Sequence, residues 1–186
     1  MPGLSLPTVE VKESFLAAMA EFAAEGRGQP DDDSMVGHEI RDWSGRWDTG
    51  AGFALYLTVL RAEADEDAPR PAGRVPCTTW WWVDGGEYLG RIALRHRLTP
   101  GLRRVGGHIG YDVRPTARRR GYATAMLTAV LPVAEGMGID RALLTCLPGN
   151  VASRRVIESC GGVLEDEPGG LLRFWVPTGA ASVHPV

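Results

Sequence analysis

The chain has 186 residues, 44% of them hydrophobic and 23% charged, with a formal net charge of −3. That length fits a single domain with a substantial core, the composition is that of a soluble globular protein, and the negative balance argues against a general nucleic-acid-binding role. No apolar run approaches the roughly 20 residues that span a bilayer, and the N-terminus lacks the basic start and apolar stretch of a signal peptide. The three cysteines show no Cys-x-x-Cys spacing, which points away from structural zinc and toward a reducing cytoplasm.

Phe15, Ala18, Met19, Phe22 and Ala23 recur at helical spacing, so residues 8 to 25 are expected to form an amphipathic helix. Residues 26 to 37 are polar, include Asp31, Asp32 and Asp33, and read as a loop. Phe53, Tyr56, Leu57 and Leu60 mark a second helix, which ends before the acidic, proline-rich stretch from Asp65 to Pro76. With so few apolar positions this N-terminal part, residues 1 to 75, is expected to have little core of its own. Two strand-like runs, Thr78 to Val83 and Tyr88 to Leu98, flank Asp84-Gly85-Gly86 and predict a hairpin. Within the first run Trp80, Trp81 and Trp82 cannot share one face, because strand side chains alternate. At least one is expected in the core and another toward the site of the second substrate.

Residues 108 to 124 carry the densest information. Ile109, Tyr111 and Val113 alternate on a strand that ends at Pro115, and Arg118-Arg119-Arg120-Gly121 then leads at once into an amphipathic helix. Strand, basic turn, glycine and helix together make an anion cradle, since first-turn N–H groups and the helix dipole converge on one point. An arginine-rich corner is also compatible with plain solvation. Neither the Walker pattern nor the dinucleotide-binding G-x-G-x-x-G is present.

The new helix places Ala123, Met126, Leu127, Val130, Leu131 and Ala134 on one stripe, contains Pro132 and stops at Gly136 and Gly138. A buried strand follows at Arg141 to Cys146, then a helix capped by Asn150 and stopped by Gly161-Gly162, then strands near Val163 to Glu165 and Leu171 to Val176. The Arg118-x-x-Gly121-x-Ala123 run, the Asn150-x-x-Ser153 segment and the block Gly107-His108-Ile109-Gly110-Tyr111 resemble the GNAT (GCN5-related N-acetyltransferase) superfamily over about residues 76 to 176. A closer likeness within it is to a bacterial group of predicted acetyltransferases. The resemblance implies an α/β (α+β) fold: a mixed, mostly antiparallel central sheet flanked by helices. It implies one domain over residues 1–186, with an N-terminal helical part and acceptor-side loops (1–75), a cofactor-binding core (76–177) and a tail (178–186).

The same resemblance implies acetyl-CoA as co-substrate, no metal, and transfer to a primary amine of a small molecule or a protein in a ternary complex. It carries no implication of a nucleic-acid or membrane partner, and a homodimer is one assembly compatible with it. The pyrophosphate is expected on the amides of Arg119, Arg120, Gly121, Tyr122, Ala123 and Thr124, with Arg118 or Arg120 adding side-chain charge. The pantetheine arm is expected along the backbone of Tyr111, Asp112 and Val113, and Asn150 and Ser153 are expected to contact the cofactor. Many relatives place a general-acid tyrosine where this chain has Ile157. Tyr111 or Tyr122 is then the candidate donor for the leaving thiolate. His108 is the first candidate for the base, because histidine titrates near neutral pH. Alternation turns Ile109, Tyr111 and Val113 away from it, however, so it is equally readable as a histidine satisfied by backbone. His96 and water are the other options. Cys146 and Cys160 read as packing residues. A module that binds acyl-CoA without catalysis is the competing reading, kept open by Ile157.

Overall fold

The computed structural model describes residues 1–179; the rest of the expected tail, 180–186, lies outside the described residues. A short N-terminal strand, β1 (Gly3–Ser5), precedes three helices, α1 (Lys12–Ala24), α2 (Met35–Trp47) and α3 (Gly50–Ala62). The hairpin follows as β2 (Cys77–Asp84) and β3 (Glu87–Arg95), in register with Asp84 opposite Glu87 across Gly85-Gly86. Next come a short helix α4 (Pro100–Arg104), β4 (Ile109–Val113), α5 (Tyr122–Gly136), β5 (Arg141–Cys146), α6 (Val151–Ser159), β6 (Val163–Asp166) and β7 (Leu172–Pro177).

The strands form two antiparallel sheets, ordered β1-β2-β3-β4 and β5-β7-β6. The expected mixed, mostly antiparallel arrangement is thus present but divided, with β4 and β5 as the facing edges. β1 and α2 are absent from the sequence expectation. For α2 the signal existed: Ser34 caps it by accepting the Gly37 N–H at 3.1 Å, and Val36, Ile40, Trp43 and Trp47 pack at helical spacing.

α2 is also why the N-terminal part does have a core. Phe15, Phe22, Val36, Trp47, Phe53 and Tyr56 cluster on one face of the β2–β3 hairpin together with Trp81 and Tyr88. Phe15 stacks on Trp81 at 4.9 Å and meets Tyr88 edge-on at 5.3 Å, and pairs of this kind contribute about 0.5–1.5 kcal/mol each beyond burial. The opposite face of the hairpin (Trp82, Leu89, Ile92 and Leu94) packs under α5 and the second sheet with Met126, Leu127, Val130, Leu144 and Phe174. The first sheet therefore separates two cores. β4, at its edge, inherits a different environment on each face.

Candidate active site

Among the described residues, the backbones leading into β4 and along β5 are joined by one backbone–backbone hydrogen bond. The His108 N–H donates to the Leu143 carbonyl at 2.7 Å, and the Leu143 N–H donates back to His108 Nδ1 at 2.9 Å. Gly107 makes this approach feasible: its φ is +61°, and a Cβ there would stand 2.2 Å from the Leu143 oxygen, so both conformation and space require glycine. Beyond this point no ladder bond joins β4 to β5 among the described residues. A cleft of about 340 Å³ opens between them, lined on one side by Ile109 to Asp112 and on the other by Leu144 to Leu147. Residues 109 to 113 thus keep free backbone groups along one edge, available to an extended ligand.

On one face of β4, Tyr111 packs toward the α5 side. Its hydroxyl reaches Ser153 Oγ at 2.8 Å on α6, and burial, partly opposed by that hydrogen bond, pushes the phenol up to about 12. Ser153 is positioned by its own helix cap, since its N–H donates to Asn150 Oδ1 at 3.1 Å. Ile157 lines the same cleft but is also part of the core. Cys146 lies on the cleft wall, where burial raises its thiol pKa.

The other face of β4 carries Gly110, covered by Met35, and Asp112, directly opposite Arg91 on β3. The loop between α1 and α2 closes this side with Arg27, Asp33, Ser34 and Met35. Asp32 builds that loop, accepting from the Gly28 N–H at 2.9 Å and the Ser34 N–H at 3.0 Å. Of the three consecutive aspartates, Asp33 lines the cleft and Asp32 serves the fold. The Asp112 carboxylate accepts no hydrogen bond from any described residue, and burial raises its pKa above the ordinary carboxylate value, with Arg91 and Arg27 opposing.

The cradle lies between β4 and α5. Arg119 has φ +63° and Gly121 φ +79°, and these left-handed residues turn the chain so that α5 begins with no side-chain cap. The first intrahelical bond to this end is made by Ala125, to the Gly121 carbonyl at 3.0 Å, leaving the N–H groups of Tyr122, Ala123 and Thr124 without helical acceptors. Nothing stands within 4 Å of the position a Gly121 Cβ would occupy. Arg119 and Arg120 are exposed and form no ion pair among the described residues, whereas Arg118 is held by Glu25 at 2.6 Å and 2.8 Å. Neighbouring Glu21 holds Arg114 and Thr116. Two carboxylates, Glu21 in α1 and Glu25 at its C-terminal cap, thus brace the loop, a support that no local sequence signal announces.

Three expectations change. His108 is buried, its Nδ1 lone pair is used by the Leu143 N–H, and burial together with Arg103 and Arg95 lowers its pKa to about 4. At neutral pH the ring is a neutral staple between the sheets, which is the backbone-satisfied option left open above. His96 is bonded to Thr78 Oγ1 at 2.8 Å and does not line the cleft. None of the three tryptophans lines it either: Trp81 belongs to the N-terminal core, and Trp80 and Trp82 to the other.

The model of the acetyltransferase (GNAT) domain family matches residues 16–163. Among solved structures, Mycobacterium smegmatis RimJ in complex with CoA-disulfide superposes with a TM-score of 0.65 at 18% identity, over 95% of this chain and 81% of that one. MccE, the microcin C7 self-immunity acetyltransferase in complex with acetyl-CoA and AMP, gives 0.62 at 12% identity over 95% and 92%. The PaiA N-acetyltransferase of Thermoplasma acidophilum in complex with coenzyme A gives 0.57 at 12% identity over 95% and 99%. No curated protein matches the sequence. At these identities the structural likeness speaks for the fold, and the family match, over most of the chain, speaks for membership: this chain belongs to the GNAT acetyltransferase family.

Proposed function

We propose that the protein is an N-acetyltransferase that moves an acetyl group from acetyl-CoA directly to a primary amine, with both substrates bound at once. The observation that carries this reading is the cleft between β4 and β5, which has Tyr111 and Ser153 on one side of the strand and an unpartnered Asp112 on the other. Consecutive strand residues face opposite ways, so β4 separates a cofactor side from an acceptor side.

Acetyl-CoA fits the residues present: unpaired amides at Tyr122 to Thr124, open space at Gly121 and free cations at Arg119 and Arg120 await a pyrophosphate, and the edge of β4 awaits an extended amide-bearing arm. Bound there, it supplies an activated acyl group and a thiolate leaving group. The free backbone N–H groups on the open edge of β4 would supply hydrogen bonds to the acyl oxygen, where negative charge develops. Asp112 takes the proton that an ammonium must lose before it attacks. Its pKa, raised by burial, makes it a stronger base than a solvated carboxylate. Tyr111 stays a neutral phenol at physiological pH and, with Ser153, would be the hydrogen-bond donor available to the departing sulfur. His108 keeps a positioning role: it fixes where the sheets part. The acidic groups on the acceptor side favour a cationic amine, small or on a protein, and the free cysteines fit a reducing cytoplasm.

The test is thiol release from acetyl-CoA against a panel of primary amines, with products identified by mass. Amine-dependent release is expected, and Asp112→Asn should lower kcat/KM by about 10²–10⁴, the scale of general-base loss, with unchanged acetyl-CoA affinity. Affinity without release for any amine would establish the binding-only module instead.

A further inference from the structure

The N-terminal core contains a charge pair that its packing does not require. Arg91, in the middle of β3, has a side chain 5% exposed and contacts the carboxylate of Glu39 on α2, itself 14% exposed. A buried ion pair of this kind is rarely more stable than an apolar replacement. The pair is also incompletely satisfied. Arg91 Nε and Glu39 Oε2 are buried with no hydrogen-bond partner among the described residues, as are the hydroxyls of Tyr56 and Tyr88, while Arg91 Nη1 makes the contact with the other Glu39 oxygen. Orphaned buried donors of this kind call for an explanation.

Asp112 supplies one. It is the cross-strand partner of Arg91 on the same face of the sheet, where directly opposed residues have Cβ atoms about 4.5–5.5 Å apart, and its carboxylate has unused acceptors. A guanidinium has five donors in a planar fork, enough for two carboxylates. We infer that Arg91 and Glu39 are positioning residues for the reaction: Arg91 is shared between Glu39 and Asp112, and the division of its charge sets how readily Asp112 accepts a proton. This rests on the reading of Asp112 as the base.

The logic is one of balance. Arg91 paired with Asp112 alone would hold the carboxylate ionised and make it a poor base, while Asp112 without Arg91 would hold its proton too far up the pH scale. Glu39 tempers Arg91 between these extremes. The charged and titratable groups facing Asp112 are Arg91 and Tyr88 from β3, Glu39 from α2, and Arg27 and Asp32 from the loop before α2. Glu39 belongs to the helix whose N-terminal cap, Ser34, and first residue, Met35, line the proposed acceptor side of the cleft. The residue that tunes the base and the residues that meet the amine therefore belong to one rigid element.

The experiment is a pH titration of the protein with ¹³C-labelled aspartate carboxyls, the Asp112 resonance being assigned by its loss in Asp112→Asn. Arg91→Met should move the Asp112 inflection up and Glu39→Gln should move it down, each by about one pH unit, the scale of a unit charge near contact distance. Arg91→Lys should stay nearer the wild type than Arg91→Met. If Arg91→Met fails to fold, the downward shift of Glu39→Gln decides alone. Shifts in the same direction for both charge removals, or no shift in Glu39→Gln, would overturn the inference. The acid limb of kcat/KM is followed in parallel. If the Asp112 resonance shifts as expected while the rate profile stays fixed, the tuning stands and the reading of Asp112 as base falls.

Discussion

The two sides of β4 are built by different means. The proposed cofactor side is made of backbone: a left-handed turn at Arg119 and Gly121, the open first turn of α5, an asparagine cap on α6 and an unpaired strand edge. The proposed acceptor side is made of side chains brought together from β3, β4, α2 and the loop before it: Arg91, Asp112, Glu39, Asp32 and Asp33. Backbone geometry is dictated over a few consecutive residues, whereas side-chain constellations depend on the whole fold. One site can therefore be announced by a short motif, and the other only by the assembled structure.

The sharpest way to break that contrast is to remove the backbone device. Gly121 has φ +79° with open space around it, so Gly121→Glu adds strain and places a carboxylate where a pyrophosphate should lie. Acetyl-CoA affinity is expected to fall at least about 100-fold, and the acceptor side should keep its structure because the turn is exposed. Unchanged affinity by calorimetry in a folded variant would remove the cradle from the site.

His108 sharpens the comparison from the hinge between the two sides. Its pKa is lowered to about 4 by burial and by Arg103 and Arg95, so the folded state resists its protonation. The native contribution is fully present above the unfolded value near 6.5 and is lost as pH falls from there toward 4, amounting to about 3 kcal/mol at most. His108→Gln should lower stability at pH 7 by about 2 kcal/mol, the scale of losing a buried hydrogen-bonded group, and should flatten that part of the pH dependence. Denaturant unfolding at pH 4, 5, 6 and 7 measures both. If the variant instead keeps wild-type stability and loses the acid limb of the rate profile, His108 is the base after all.

The outcome for histidine shows what a sequence can and cannot reveal. Residue type identified His108 as titratable and alternation gave its face, yet only the structure shows that its Nδ1 accepts the Leu143 N–H. The turn and open helix start at Arg119 to Thr124, the Asn150 cap, the hairpin and the helices α1, α3, α5 and α6 were legible because each rests on local pattern. α2 was legible in principle, through Ser34 and the spacing of Val36, Ile40, Trp43 and Trp47, but Gly37, Gly45 and the polar run before it mask the pattern. Arg91 was visible only as a charge inside an otherwise apolar strand. Nothing in its neighbourhood points to Glu39, on a helix far earlier in the chain.

A smaller effect is expected where the two sides meet across the cleft. Tyr111→Phe removes the hydroxyl that reaches Ser153 while keeping the ring in the core. A fall of about tenfold in kcat, about 1.4 kcal/mol of barrier, is expected with little change in acetyl-CoA affinity. The loss should be larger for acyl-thioesters with poorer leaving groups. An equal loss for all thioesters would show that Tyr111 acts by packing alone.

The smallest expected effect tests whether the acceptor side depends on side chains as far out as its loop. Burial alone would raise the Asp32 pKa, but the Gly28 N–H, the hydroxyl and N–H of Ser34 and the Arg27 guanidinium together lower it to about 2. Its folded value thus lies below the unfolded one, so the stabilisation is present above about pH 4 and is lost as pH falls toward 2. Asn at this position keeps the size but offers one acceptor oxygen and a donor nitrogen facing N–H groups. Asp32→Asn should cost on the order of 1 kcal/mol at pH 7, given partial solvent screening, with the difference from wild type vanishing near pH 2. Because Asp32 holds the loop that presents Asp33, Ser34 and Met35 to the cleft, KM for the amine should rise about threefold to tenfold, as expected for misplacing one wall of a binding site. Acetyl-CoA affinity should stay constant. A matching loss of acetyl-CoA affinity would mean that the two sides of β4 are one mechanical unit, and the contrast between a backbone-built and a side-chain-built site would not survive it.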